Sequence, residues 1–203
     1  MLTYELEEEL IKEGYSLVCG VDEAGRGPLC GPVAAAACIL PTGLVLDGLN
    51  DSKKLSEKKR ELLYDQICEN AVAYAIVLGS VEEINETDIL STTLHAMRRA
   101  IDQLDPKPDF ALIDGNITRG FTLPAKAVVH GDAISPSIAA ASILAKVTRD
   151  RLCAELDAKY PQYGIAKHKG YGTKDHMAAL RQYGPAPIYR TKFIRFLDED
   201  AKK

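Results

Sequence analysis

The chain has 203 residues, of which 46% are apolar and 27% charged, with a formal net charge of −4. This length can bury a substantial core, and the composition is that of a globular protein rather than a disordered one. No apolar run approaches the roughly 20 residues that span a bilayer, and the acidic start MLTYELEEEL is not a secretory signal, so a soluble, cytoplasmic protein with no membrane contact is expected.

In chain order, residues 5–13 have a charged, helical pattern, and residues 16–21 read as a short strand ending at Asp22. Residues 33–40, VAAAACIL, are continuous, small and apolar, as in a strand buried on both faces. Ser56 is placed as an N-cap with Glu57 in the first turn and Leu62, Leu63 and Ile67 behind it, which predicts a helix to about Asn70. AVAYAIVLG at 71–79 reads as a strand. A long helix is expected from about Asp88, because Leu90, Leu94, Met97, Ile101 and Leu104 recur on one helical face; Asp105-Pro106 stops it. Residues 110–113 form a short buried strand ending at Asp114. Residues 126–130 form another, ending two residues before Asp132. Ser135-Pro136 starts a helix that runs to about Ala158, and Thr173 caps a further helix ending at Gly184. Interleaved strands and helices predict an α/β core over about 1–158 with a helical C-terminal portion over about 159–203, forming one domain.

The five cysteines include no CxxC pair, which fits reduced thiols rather than disulfides or zinc ligands. Charge is unevenly placed. Residues 1–119 carry 11 Lys and Arg against 21 Asp and Glu, whereas residues 120–203 carry 14 against 8. A basic C-terminal part permits a polyanionic partner, and equally describes two solvated faces of opposite sign.

Three strands finish at or beside an acid: Asp22, Asp114 and Asp132. Reactive groups in open α/β sheets gather where loops leave the strand ends, so acids distant in sequence can meet there. Carboxylates pushed together remain ionised together only when a cation offsets them. Hard oxygen ligands without a Cys or His cluster favour Mg²⁺ or Mn²⁺. Two such ions can activate a water and stabilise the leaving oxygen of a phosphodiester. Each acid alone is ordinarily a cap or turn residue. The set acquires meaning from VCGVDEAGRGP at 18–28, where Asp22 and Glu23 are followed at once by Gly25-Arg26-Gly27.

Gly25 and Gly27 lack Cβ, so their backbone can approach a ligand closely, and Arg26 can fork onto a phosphate. Backbone that near a sugar can test for a 2′-hydroxyl. A Gly-Arg-Gly is also a common turn. On the helix from Pro136, Ser142, Lys146 and Arg149 share one face, which can hold a phosphate backbone or be simply solvated. Lys53 and Lys54 in NDSKKLS are phosphate candidates or members of a charged loop. His168 and Lys169 precede Gly170-Tyr171-Gly172, whose glycines suit a presented ring rather than a core one.

VDEAGRGPLCGPV, LNDSKKLSEKKR, ALIDGN, GDAISPSIAAASILAKVTRD and YPQYGIAKHKGYGT, in this order over roughly residues 17–175, resemble bacterial ribonuclease HII, the type 2 ribonuclease H family. The resemblance implies a ribonuclease H-like mixed sheet flanked by helices. It implies cleavage of the RNA strand of RNA·DNA hybrids and incision 5′ of single ribonucleotides in duplex DNA, leaving 3′-hydroxyl and 5′-phosphate ends. The family's four active-site acids fall on Asp22, Glu23, Asp114 and Asp132, which would bind Mg²⁺ or Mn²⁺. Its ribonucleotide-recognising motif falls on Gly25, Arg26 and Gly27, and its sugar-packing tyrosine on Tyr171.

The chain departs from the family pattern in three places. His130 stands where a lysine is usual, removing a fixed positive charge near the site and making pH-sensitive activity an expectation. Asp88 replaces an asparagine at the start of the long middle helix, and YRTKF at 189–193 replaces a sequence like HRRSF. The short start disfavours the type 3 relative, and the C-terminus lacks a clear clamp-binding peptide, so a monomer without a protein partner is expected. The competing readings are another divalent-metal nuclease or phosphoesterase, which would cut an all-DNA duplex, and a non-catalytic hybrid-binding protein.

Overall fold

Strands and helices are interleaved through residues 2–200, the part of the chain that the computed structural model describes; residue 1 and residues 201–203 of the expected 1–203 unit lie outside it. The elements are α1 (Glu5–Lys12), β1 (Val18–Ala24), β2 (Val33–Ile39), α2 (Glu57–Asn70), β3 (Ala73–Gly79), α3 (Val81–Glu86), α4 (Ile89–Gln103), β4 (Phe110–Asp114), β5 (Ala125–Val128), α5 (Pro136–Lys159), α6 (Ile165–His168), α7 (Lys174–Tyr183) and α8 (Phe196–Asp200). The strands make one mixed sheet in the order β3-β2-β1-β4-β5. Pairing is antiparallel for β3-β2-β1 and parallel for β1-β4-β5. This is the expected mixed sheet flanked by helices.

The helix starts follow their capping residues. The side chains of Ser56, Asp88, Ser135 and Thr173 accept backbone N–H groups in the first turns of α2, α4, α5 and α7. α3 is an addition to the expected set. Its signal is a capping box: Ser80 Oγ accepts from Glu83 N–H and the Glu83 carboxylate accepts from Ser80 N–H.

Side-chain alternation along the strands loads both faces of the sheet. Cys19, Val21, Ala35 and Ala37 meet α4 through Ala96, Met97, Ala100 and Ile101. Ala34, Ala36 and Cys38 meet α2 and α5 through Leu63, Ile67, Ala140 and Leu144. Small residues at this second contact let α5 lie almost on the strand backbone. A Cβ at Gly20 would sit 2.1 Å from the Ser137 carbonyl carbon, so β1 accepts only glycine where α5 crosses it. The last segments build their own apolar cluster, with Tyr163, Ile165, Leu180, Tyr189 and Ile194 packed on Cys30 and Cys153.

Two expectations are corrected. β1 does not stop at Asp22; it continues through Glu23 to Ala24, with Asp22 paired to Ala36 and Glu23 to Ala35. The buried face of α4 is carried by Thr93, Ala96, Met97, Ala100 and Ile101, while Leu90 is 36% exposed and lines a hollow beside Glu23 and Asp114.

Candidate active site

β1, β4 and β5 run parallel, so their C-terminal ends leave the sheet along one edge. Val21 is in register with Ile113, which sets Asp22 beside Asp114 on the neighbouring strand. Glu23 follows on β1, and Asp132 comes from the 3₁₀ turn Gly131–Ala133 just past β5. That turn is tied back to the sheet, because Gly131 N–H donates to Asp114 Oδ1 at 2.7 Å. Asp22 and Asp132 are each only 4% exposed.

The electrostatics place all four acids in one neighbourhood. Burial raises Asp22 well above the ordinary carboxylate range, Glu23 and Asp114 add repulsion, and hydrogen bonds from Glu23 N–H and the Ser142 hydroxyl oppose the rise. Glu23 is raised by burial, with Arg26 opposing and Asp114 reinforcing. Asp132 is raised by burial and then by Asp51 and Asp114, with Lys53 opposing. Lys53 Nζ lies 3.7 Å from Asp132 Oδ2. Its partial burial acts to lower it, but Asp132, Asp22, Asp51 and Asp114 together hold it up.

Among the described residues no three Asp, Glu, His or Cys groups close tightly enough to cage an ion as they stand. The donor set nevertheless suits a hard divalent cation. It offers carboxylate oxygens without thiolate or imidazole, and its buried, mutually repelling members are relieved by positive charge.

A cleft opens beside the acids, running from Glu23 and Arg26 past Lys53 and Ser142 to Lys146 and Tyr171. Gly25 has φ +98°, and a Cβ there would fall 1.9 Å from Arg149 Nε, so this turn excludes every other residue. A Cβ at Gly27 would touch the Tyr171 ring at 3.2 Å. Tyr171 is 49% exposed, a presented ring. Leu29 N–H donates to Gly170 O at 2.8 Å and couples the glycine loop to the tyrosine loop. Arg26 Nη1 lies 3.4 Å from Glu23 Oε1.

Several substrate-contact expectations are revised by the geometry. Arg149 is buried, and its guanidinium donates to the carbonyls of Lys169 at 2.9 Å and Cys30 at 3.3 Å; it builds the cleft wall rather than reaching out to a phosphate. Both His168 ring nitrogens are engaged by backbone, Nε2 with Tyr163 O at 2.9 Å and Nδ1 with Gly170 N–H at 3.2 Å, so the ring shapes its loop. Lys169 adopts the left-handed conformation at φ 51° and serves this framework through its carbonyl. Lys146 Nζ donates to Asp150 at 2.6 Å, and Lys54 pairs with Asp51 at 3.8 Å. Ser142 stays at the site, sharing a 2.9 Å hydrogen bond with Ser52. Asp51 and Ser52 were missed by the sequence reading. Their signal was the Asp-Ser pair before Lys53-Lys54, where Asp51 caps the turn Ser52–Lys54 and faces Asp132.

The sheet order, its helical flanks and the acids at the parallel strand ends define a protein of the ribonuclease H fold. The ribonuclease H2 of Pyrococcus horikoshii OT3 superposes with a TM-score of 0.77 at 28% identity, covering 93% of this chain and 100% of that one. The RNase HII of Archaeoglobus fulgidus, solved as a complex with PCNA, gives 0.73 at 27% identity over 88% and 95%. Bst-RNase HIII in complex with Mn²⁺, at 18% identity and a TM-score of 0.66 over 90% and 64%, shares the fold. The family model for ribonuclease HII matches residues 19–196. The ribonuclease HII of Ruminiclostridium cellulolyticum is 51% identical over 195 residues, 96% of this chain and 76% of that protein. The chain therefore belongs to the ribonuclease HII family and is a type 2 ribonuclease H, a hydrolase.

Proposed function

We propose that this enzyme cleaves the RNA strand of RNA·DNA hybrids and incises 5′ of single ribonucleotides in duplex DNA, giving 3′-hydroxyl and 5′-phosphate ends. The observation that carries the reading is the adjacency of two features. Acids from three parallel strand ends stand beside a glycine loop whose backbone lies open to the cleft, against the exposed ring of Tyr171. Asp22, Glu23, Asp114 and Asp132 would hold Mg²⁺ or Mn²⁺, which when bound supplies water activation and charge stabilisation at the leaving 3′-oxygen.

The chain's own groups do the rest. Gly25 and Gly27 bring backbone close enough to a ribose to read its 2′-hydroxyl. Arg26 and Lys53 supply positive charge for the flanking phosphates, fixing position without reading sequence. The Tyr171 ring forms an apolar floor for the sugar at the junction. Ser142 donates toward Asp22 and orients that carboxylate. The 2′-hydroxyl reader is what separates this function from a nuclease that cuts plain DNA.

The test is a labelled duplex carrying one ribonucleotide, an all-DNA control, and product-end mapping in Mg²⁺, Mn²⁺ and EDTA. The unaltered protein should incise only the ribonucleotide duplex and only with metal, and Asp22→Asn should lower the rate by at least about a hundredfold. Full activity of that variant, or equal cutting of the all-DNA duplex, refutes the reading.

A further inference from the structure

One side chain from the tail locks the glycine loop. Arg190 is fully buried, and among the described residues no carboxylate pairs with its guanidinium. Its donors all go to carbonyls of a single loop. Nε donates to Gly31 O at 2.9 Å, Nη1 to Arg26 O at 2.9 Å and Pro28 O at 2.8 Å, and Nη2 to Gly25 O at 2.7 Å. The Arg190 N–H donates to Leu29 O at 2.9 Å. Burial and the nearby Arg149 push Arg190 down to about 10, still far above neutral, so the group stays charged. A buried cation without an anion is costly unless dipoles surround it. Four carbonyl dipoles from residues 25–31 do so here.

The consequence falls on the opposite side of each peptide plane. In a trans peptide the carbonyl and the following N–H point in opposite directions. The carbonyls of Gly25 and Arg26 face Arg190, so the N–H groups of Arg26 and Gly27 face away from it, on the side where Gly27 meets Tyr171 and the cleft. Among the described residues neither N–H donates to another backbone group.

We propose that Arg190 is a positioning residue of the ribonucleotide sensor: it draws the carbonyls of the 25–31 loop inward and thereby presents the Arg26 and Gly27 amides as a preformed donor pair for the ribose 2′-hydroxyl and the adjoining phosphate oxygen. This inference rests on the function proposed above and adds a residue from the tail, 164 positions beyond Arg26. A side chain that only stapled the tail would support stability without affecting which sugar is accepted.

The experiment compares the unaltered protein with Arg190→Lys and Arg190→Gln on duplexes carrying one ribonucleotide or one 2′-fluoro nucleotide. Folding is checked by circular dichroism and Mn²⁺ binding by calorimetry. We expect kcat/KM on the ribonucleotide duplex to fall by about a hundredfold, the size of effect a misplaced positioning group produces, and the ribose-over-fluoro preference to narrow about tenfold. Mn²⁺ affinity should stay unchanged, and the amide resonances of Arg26 and Gly27 should move while those of α5 stay in place. A folded variant with unaltered preference, or with unmoved amide resonances at residues 26 and 27, overturns the proposal while the function stands. If the unaltered protein fails to incise the ribonucleotide duplex, the function falls and the sensor role with it. A measurement on the unaltered protein covers variants that do not fold. In EDTA, the amide resonances of Arg26 and Gly27 should shift more with the ribonucleotide duplex than with the 2′-fluoro duplex, which keeps the phosphate and lacks the hydroxyl; equal shifts, or none, overturn the proposal.

Discussion

Asp22 shows how a single residue can be arranged against stability. Its carboxylate is buried, backs onto Glu23 and Asp114, and is raised by both conditions. A carboxylate raised in the folded state contributes stability that is complete below its unfolded value, about 3.9, and is lost as pH rises through the folded value. Asp22→Asn removes the charge and keeps the shape. The metal-free variant should therefore melt higher than the unaltered protein at pH 8, and the gap should close as pH approaches about 4. Thermal melts across pH measure this directly, and added Mn²⁺ should stabilise the unaltered protein more than the variant. His176 has the opposite sign. It is fully buried, with Nδ1 at 2.8 Å from Tyr171 O and Nε2 at 2.8 Å from the Tyr189 hydroxyl. A carbonyl only accepts, so Nδ1 carries the proton and Nε2 accepts from Tyr189. Burial lowers His176, and the stacked His168, 4.1 Å away, adds to this. Its contribution to stability is thus present above about 6.5 and lost as pH falls through the folded value. Between pH 7 and 5 the melting temperature should drop, and His176→Gln, which cannot take up a proton, should lack that part of the decline.

At the scale of elements, the decisive contact is α5 on β1. Fourteen residues of α5 are buried, from Pro136 to Cys153, so this helix is enclosed rather than amphipathic. Gly20→Ala forces a methyl into the Ser137 backbone and should destabilise by about 3 kcal/mol, the upper range for overpacking a rigid contact; denaturant unfolding with an unchanged slope would record it. Failure to see this loss would mean that α5 sits farther from the sheet. Most elements were legible locally, since caps and periodicity act within a few residues. Two features were not. β1 extends through Asp22 and Glu23 because β2 offers pairing partners there, which no local acid pattern reveals. The α4 face was misread at Leu90 because small residues, Thr93, Ala96 and Ala100, carry the contact with the sheet, and a count of large apolar side chains passes over them.

On the scale of the whole molecule, the cleft takes its basic side chains from both parts of the chain, Arg26 and Lys53 from the acidic 1–119 and Lys146 and Arg149 from the basic 120–203. Duplex binding in EDTA should rest on phosphate contacts, so affinity should fall by at least about tenfold between 50 and 200 mM salt; fluorescence anisotropy is the direct measure, and a flat response would show that phosphates contribute little. Among the described residues no helix is long and apolar enough to cross a membrane. The amino-acid sequence alone determined the strand and helix pattern, the caps, the four acids and the glycine loop, because each is written in neighbouring residues. Tertiary structure alone decided what those groups face: the three acid-bearing strand ends on one edge, Arg149 turned inward onto Cys30, and Arg190 closed on residues 25–31. Contacts between residues more than a hundred positions apart are set by how layers pack, and packing depends on the shape of the whole rather than on any local run of side chains.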